Sequence, residues 1–140
     1  MAELSPLTYQ CLAESGEKFA VPLALILIVL NVEGGAIGLE SPNSNGSHDL
    51  GPMQINTLWL PKLNALGITR ELLRDNGCVN VAVGAWLLRH HLKEEANPFR
   101  AVSLYHSRDP ERRGIYLARA LRLSANLNVN ATLARANGQK

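Results

Sequence analysis

The feature that most constrains the fold is a very apolar run at residues 21–32, VPLALILIVLNV, followed at once by Glu33, Gly34 and Gly35. A proline near the start fits the first turn of a helix, and glycine favours a helix end. The run is much shorter than the roughly 20 residues that cross a bilayer. It also lacks the flanking pattern of a secretory signal. We therefore predict a buried core helix ending at Glu33, and no transmembrane segment.

The carboxyl group of Glu33 is predicted to resist ionisation. Apolar surroundings disfavour the charged form, and the C-terminal end of a helix carries partial negative charge, so both effects raise a carboxyl pKa. A raised pKa suits a general acid. The alternative is that Glu33 is a solvated residue at a helix end, the usual position of a glutamate.

Composition favours one globular domain. The 140 residues are 46% hydrophobic and 19% charged, enough to build a core. The formal net charge of +2 gives no reason to expect nucleic-acid binding. We predict a single domain over residues 1–140, with a core over about 5–125 and a weakly packed tail over 126–140.

Turn and capping residues predict a mainly α fold. Residues 34–51 are rich in Gly, Asn and Ser and are expected to form a loop with at most a short β-hairpin. The central helix is expected to bury Val79, Ala82, Val83, Trp86 and Leu87. Helices are predicted over residues 5–19, 21–33, 56–66, 69–74, 78–96, 99–107 and 110–126, with Asn56, Thr69 and Asp109 as start signals and a turn at 75–77.

Several segments together resemble the soluble lytic transglycosylase domain of the lysozyme superfamily. They are Glu33, the loop at 45–51 (NGSHDLG), the sequence MQIN at 53–56, and residues 78–88 and 101–107. The resemblance covers about residues 7–121. It implies a single lysozyme-like domain of the goose-type lysozyme class.

The resemblance also implies an activity, which is cleavage of peptidoglycan between N-acetylmuramic acid and N-acetylglucosamine. Glu33 would protonate the glycosidic oxygen and then act as base toward the C6 hydroxyl, leaving a 1,6-anhydro end without a cofactor or metal. Supporting residues follow by position. Ser47 and Gln54 would shape the cleft, Met53 would offer an apolar surface, and Tyr105 would hydrogen-bond near Glu33.

The sequence departs from the family pattern at several positions. Gly34 replaces the usual Ser after the glutamate, and Pro52 replaces Leu, which stiffens the loop and removes a backbone donor. His106 replaces the asparagine expected after Tyr105, and Arg108 stands near an expected glycine. Histidine is the side chain suited to a charge change near neutral pH, so His106 is a candidate source of pH dependence or a substrate-binding residue that contacts a carboxylate. The alternative is a surface histidine.

The two cysteines, Cys11 and Cys78, allow two interpretations. They are either small buried apolar residues in a reducing compartment or a disulfide. Small transglycosylases of secretion and conjugation machines pair cysteines at similar places, so the resemblance implies a disulfide and a periplasmic location. Met1-Ala2 leaves open whether a signal peptide has been removed. Ligand-spaced histidines and CxxC pairs are absent from the sequence, so a metal site is not expected.

Two other functions stay open. A hydrolase of the lysozyme type needs a second carboxylate, and Asp49 and Glu40 lie in the predicted loop. A glycan-binding or assembly module would keep the fold without catalysis. We expect a monomer that acts on glycan strands, associated with a secretion, conjugation, pilus or phage machine. Arg112, Arg119 and Arg122 fall near one helix face, as either solvated surface or a site for peptide carboxylates.

Overall fold

The computed structural model of the chain describes residues 3–107 and 109–139. Met1, Ala2 and Arg108, which the sequence analysis discussed, therefore lie outside the described residues. The fold is mainly helical, as predicted, with a small antiparallel sheet. The helices are α1 Tyr9–Phe19, α2 Leu23–Glu33, α3 Leu60–Ala65, α4 Arg70–Asp75, α5 Gly77–Glu94, α6 Pro98–His106, α7 Pro110–Ser124 and α8 Val129–Ala136. The strands are β1 Glu40–Pro42, β2 His48–Leu50 and β3 Ile55–Asn56, and a 3₁₀ turn covers Thr57–Trp59.

Local capping chemistry sets most helix starts where the sequence predicted them. The side chains of Asn56, Thr69 and Asp109 each accept a hydrogen bond from a backbone N–H of the following turn. The first helix is an exception, since it begins at Tyr9 rather than near Ser5. Thr8 caps it, because the backbone before Thr8 is held extended by a bridge between Ser5 and Asn76.

The predicted turn at 75–77 is also wrong. The side chain of Asn76 accepts a hydrogen bond from the N–H of Val79 at 3.0 Å, which makes Asn76 the N-cap of α5. The long central helix therefore follows α4 with a single residue between them.

The sheet exceeds the short hairpin expected for this region. Strands β1 and β2 pair with Ser41 opposite Asp49, and β3 adds a third strand by pairing Ile55 with Leu50. Glu40 fixes the sheet to α4 through ion pairs with Arg70 and Arg74. Hydrogen bonds from those two guanidinium groups lower the pKa of Glu40 to about 2.

Helix α2 is the centre of the core, as the apolar run predicted. Its side chains from Leu25 to Leu30 and at Val32 are buried, and it contacts α1, α5, α6, α7 and α8. Within the described residues, no single helix is long and apolar enough to span a membrane; α1 and α2 meet that test only as a pair bent by 119°.

Helix α5 is buried on more of its circumference than the sequence predicted. Val83 and Leu87 are buried as expected, whereas Val79, Ala82 and Trp86 are only partly covered. The helix packs against α1, α4 and α6, so residues on other faces are buried as well, namely Asn80, Val81, Gly84, Ala85 and Leu88.

The predicted disulfide is confirmed. Cys11 on α1 and Cys78 on α5 are bonded, with their Cα atoms 5.6 Å apart. The bond joins two helices that already pack against each other, so it fixes the N-terminal helix to the central one.

The expectation of a weakly packed tail is wrong for the described part of residues 126–140. Helix α8 buries Thr132 and Ala136. Asn137 holds both the N–H and the C=O of Leu7 through its side-chain amide, at 2.7 and 2.9 Å. Arg135 donates to the carbonyl of Leu30 at 2.7 Å, a carbonyl in the last turn of α2 that also accepts from the N–H of Gly34. The C-terminal segment therefore braces the helix that ends at Glu33.

Candidate active site

Glu33 is presented by the end of α2. Gly34 follows it in the left-handed conformation, with φ 66°, and its N–H donates to the carbonyl of Leu30 at 3.1 Å. Glycine adopts this conformation without a side-chain penalty. The departure from serine at position 34 thus has a structural reason: the helix ends here with a backbone that favours glycine.

Glu33 opens onto a cleft of about 490 Å³ between the sheet and helices α5, α6 and α7. Neutral amides and hydroxyls make up much of the sheet side of this cleft. Its polar lining includes Asn43, Asn45, Ser47, Gln54, Asn56 and Tyr105, and its ionisable lining includes Glu33, Asp49, His91, His106 and Arg112. Neutral hydrogen-bonding groups in a concave site suit an uncharged polar ligand such as a sugar.

His106 contacts Glu33 directly. Its Nδ1 lies 3.2 Å from the Oε2 of Glu33, and its ring stacks on Tyr116 with ring centroids 4.6 Å apart. The side chain of Glu33 is 11% exposed and that of His106 is 41% exposed. His106 is therefore placed at the rim of the site, in contact with the carboxylate and with the cleft.

Two tyrosines lie beneath this pair. Tyr105 donates its hydroxyl hydrogen bond to the carbonyl of Met53 at 2.7 Å. Burial, followed by the charges of Glu33 and Asp49, raises its pKa well above the ordinary value. The structure thus places Tyr105 near Glu33, as predicted, although its hydroxyl bonds to the backbone of the neighbouring loop.

Tyr116 on α7 was not foreseen as a site residue. Burial raises its pKa above the ordinary value, and the nearby charge of Glu33 adds to the effect. A weak interaction with the Glu33 side chain contributes as well, yet the hydroxyl makes no hydrogen bond of standard geometry with any described residue. Tyr116 is therefore a buried donor beside the carboxylate rather than its fixed partner.

Ser47 lies at the junction of the loop network. Its Oγ donates to the Oδ1 of Asn45 at 2.6 Å and accepts from the side-chain amides of Asn43 and Asn56 at 3.1 and 3.0 Å. Asn56 also donates to the Oδ1 of Asp49 at 3.1 Å. These bonds orient several cleft-lining amides through one buried hydroxyl.

Gln54 lines the cleft from a tight turn. Its φ is 52°, an uncommon value for a residue other than glycine. Its N–H and its side-chain amide both donate to the carbonyl of Gly51, at 3.1 and 3.0 Å. Pro52 occupies the second position of this turn, where proline is favoured, so the departure at position 52 fits the local backbone.

The expectation for Met53 is wrong. Its side chain is fully buried and packs so closely on Gly84 of α5 that a Cβ at position 84 would overlap its sulfur. It therefore offers no apolar surface to a ligand. Its backbone has a structural role instead, since its N–H donates to Asn80 at 2.8 Å and its carbonyl accepts from Tyr105.

The two loop carboxylates have different positions. Asp49 lines the cleft, and its charge acts on Tyr105 together with that of Glu33. Glu40 instead faces Arg70 and Arg74, so the ion pairs with α4 occupy it. Asp49 is therefore the loop carboxylate that shares the cleft with Glu33.

Of the three arginines near one face of α7, Arg112 lines the cleft, whereas Arg119 and Arg122 are exposed elsewhere on the helix. Among the described residues, no group of three or more His, Cys, Asp or Glu side chains is placed to hold a metal ion.

Sequence reasoning missed two supporting residues, Tyr116 and Asn80. Tyr116 lies far from the motif segments in sequence, and only the packing of α7 on α2 brings it to Glu33. Asn80 could have been identified from the sequence, because a polar residue buried in the apolar central helix needs hydrogen-bond partners.

Comparison with known proteins adds three relatives. Protein IpgF of Shigella flexneri is 30% identical over 69% of this chain and 64% of its own length. Invasion protein IagB of Salmonella typhimurium is 32% identical over 69% and 61%. A peptidoglycan-binding-like protein of Escherichia coli O157:H7 is 30% identical over 69% and 63%. The chain thus spans less than two thirds of these relatives. No protein-family model matches it.

Proposed function

We propose that this chain is a lysozyme-like enzyme that cleaves the glycan strands of peptidoglycan as a lytic transglycosylase, with Glu33 as both acid and base. The observation that carries the proposal is the placement of Glu33, a largely buried carboxyl group at the wall of a cleft rich in neutral amides and hydroxyls. The Escherichia coli relative is named a peptidoglycan-binding-like protein, which supports peptidoglycan as the ligand.

The chemistry needs one carboxyl group. Glu33 in its acid form donates a proton to the glycosidic oxygen, and the bond between that oxygen and C1 of N-acetylmuramic acid breaks with its electron pair on the oxygen. The resulting carboxylate then accepts the proton of the C6 hydroxyl of the same sugar while O6 bonds to C1. A 1,6-anhydro end forms, no water is consumed, and Glu33 regains its proton.

The surrounding residues have separate roles in this proposal. Ser47 and Gln54 hold the amide-rich side of the cleft against the sugar. Tyr105 fixes the loop carbonyl of Met53 beside the reacting centre, and His106 contacts both Glu33 and the ligand at the rim. Tyr116 supplies a buried hydroxyl that can turn toward Glu33 when the carboxyl group of Glu33 becomes charged during the reaction.

The second candidate reaction is hydrolysis, and the position of Asp49 favours it. A carboxylate that shares the cleft with the general acid can activate or position a water molecule. One of its oxygens already accepts a hydrogen bond from Asn56 at 3.1 Å, which orients the group. Asp49 would then be essential, whereas in the transglycosylase reaction it is a polar lining residue.

The setting of the enzyme is also part of the proposal. The disulfide between Cys11 and Cys78 favours an oxidising compartment, and peptidoglycan as substrate places the protein in the periplasm. IagB is named an invasion protein, and we infer for this chain a role beside a secretion machine. We expect a monomer that opens the glycan mesh locally and needs no cofactor.

The test is release of soluble fragments from purified peptidoglycan by the wild type, Glu33→Gln and Glu17→Gln. Glu17 is an exposed carboxylate on α1 and serves as the matched control. We expect Glu33→Gln to lose about a hundredfold or more in rate, with Glu17→Gln active. Equal rates in Glu33→Gln and wild type would exclude Glu33 as the acid, and binding without release by the wild type would indicate a glycan-binding module.

A further inference from the structure

A second groove opens beside the cleft. It has a volume of about 410 Å³ and lies between α3, α5 and α6. The cleft and the groove share five lining residues, namely Trp59, Leu87, His91, Tyr105 and Ser107. A ligand in the cleft can therefore extend into the groove along one continuous wall.

The groove differs from the cleft in chemistry. The cleft is lined by four Asn and Gln side chains, at positions 43, 45, 54 and 56, together with Ser47. In the groove, indole and imidazole rings take the place of these amides. Trp86 forms edge contacts with Trp59 and His90, at centroid distances of 6.0 and 4.7 Å. Lys62 and Glu94 add charges of both signs.

Lys62 is held over this aromatic wall. Its Nζ lies 5.5 Å from the ring centroid of Trp86, within the range of a cation–π contact. The residue is exposed on α3, so its ammonium group can face a ligand while the ring restrains its position. A restrained ammonium beside apolar rings complements a carboxylate on a partly apolar chain.

We propose that this groove binds the peptide that branches from the N-acetylmuramic acid of the substrate, with Lys62 receiving a peptide carboxylate. The inference rests on the proposed function, because peptidoglycan joins a neutral glycan to a peptide with free carboxylates and an amine. The amide-rich wall of the cleft matches the glycan, and the aromatic groove with Lys62 matches the peptide. A longer saccharide stacked on the rings is the competing occupant, and the test below separates it from the peptide.

The test uses the fact that the chain has two tryptophans, both on the groove wall. Their indole N–H signals report binding by NMR, and Trp86 reports the groove alone because it does not line the cleft. The probes are the synthetic tripeptide L-alanyl-γ-D-glutamyl-meso-diaminopimelate and the neutral saccharide chitotetraose. Both are titrated into Glu33→Gln, which retains the groove and does not turn the saccharide over.

We expect the tripeptide to shift the Trp86 signal and chitotetraose to leave it in place. In the same background, Lys62→Glu weakens tripeptide binding about fivefold or more, as expected for reversing a partly exposed charge, and Lys62→Arg retains it. The matched control is Lys93→Glu, an exposed lysine of α5 outside the groove, which binds as the parent does.

Three results would overturn the inference: no shift of Trp86 with the tripeptide, an equal shift with chitotetraose, or unchanged affinity in Lys62→Glu. Because binding is read without turnover, these outcomes are independent of whether Glu33 cleaves glycan. Failure of the wild type to release fragments would count against the proposed reaction and leave the groove measurement intact.

Discussion

Replacing Asn80 by Asp is the perturbation with the largest effect that the structure lets us work out. Asn80 is fully buried in α5, and its amide joins three segments. Its Oδ1 accepts from the N–H of Met53 at 2.8 Å, and its Nδ2 donates to the carbonyls of Leu50 and Leu73, each at 2.9 Å. The amide therefore ties the cleft loop and the end of α4 to the central helix.

Aspartate keeps the shape of Asn80 and removes the donor. Its second oxygen faces the carbonyls of Leu50 and Leu73, so two buried acceptors lose their hydrogen-bond donor. Each loss lowers the free energy of unfolding by about 1–3 kcal/mol. A buried charge without a counter-charge adds to that penalty. We expect a loss of about 4 kcal/mol or more at pH 7.5, a large part of the 5–15 kcal/mol typical of a folded domain.

The loss should depend on pH in a defined direction. Burial and the two facing carbonyls raise the folded-state pKa of the introduced carboxyl above its unfolded value, because its protonated form can donate to one carbonyl. The destabilisation is therefore greatest above the folded pKa and shrinks as pH falls through it. The free-energy difference from wild type should be smaller at pH 5 than at pH 7.5.

The assay is chemical denaturation followed by circular dichroism, with wild type and variant compared at each pH. Asn64→Asp is the matched control, since Asn64 is exposed on α3, and it should change stability by less than about 0.5 kcal/mol. A loss below about 1 kcal/mol for Asn80→Asp at pH 7.5, or a loss that grows on acidification, would refute the reasoning.

Three further predictions concern stability and the site. The pKa of Glu40 is lowered from 4.5 to about 2, so its ion pairs stabilise the fold fully above pH 4.5 and lose this effect as pH falls toward 2. Over that range the free energy of unfolding should fall by about 1–2 kcal/mol more in wild type than in Glu40→Gln, after allowing for solvent screening. Reduction of the Cys11–Cys78 bond, which spans 67 residues, should lower the free energy of unfolding by about 4 kcal/mol. Chemical denaturation with reductant, compared with denaturation without it, measures this loss, and equal stability in the two would contradict the prediction. Tyr116→Phe should retain stability within about 1 kcal/mol, because the Tyr116 hydroxyl has no hydrogen-bond partner among the described residues. The same variant should lower the fragment-release rate, and an unchanged rate would remove Tyr116 from the site.

What the sequence predicted well depends on local interactions. The caps at Asn56, Thr69 and Asp109 follow from side chains that bond to the backbone two or three residues away. The position of α2 follows from a run too apolar to be exposed, and its end follows from the glycine at position 34. The disulfide was expected from the family resemblance rather than from local chemistry.

The errors have non-local causes. The tail appeared free because its anchor, Asn137, binds Leu7 across 130 positions of sequence. Met53 seemed available to a ligand because nothing in its own segment shows that Gly84 leaves room for its side chain. Both depend on how helices pack, which single-sequence patterns do not encode.

The site was predictable in outline and not in its contacts. Glu33, Ser47, Gln54, Tyr105 and His106 all line one cleft, as the motif segments implied. The 3.2 Å contact between His106 and Glu33 depends on the angle at which α6 meets α2. The catalytic and binding roles of these residues are predictions.

The most direct test of the central claim is mass spectrometry of the fragments released from purified peptidoglycan in water enriched in ¹⁸O, by wild type and by Asp49→Asn. The account predicts 1,6-anhydromuramoyl ends without ¹⁸O from wild type, since the C6 hydroxyl and not water attacks C1. It also predicts the same ends from Asp49→Asn. The account would be contradicted if wild type released fragments with ¹⁸O-labelled reducing ends and Asp49→Asn did not. That result would identify a hydrolase with two catalytic carboxylates.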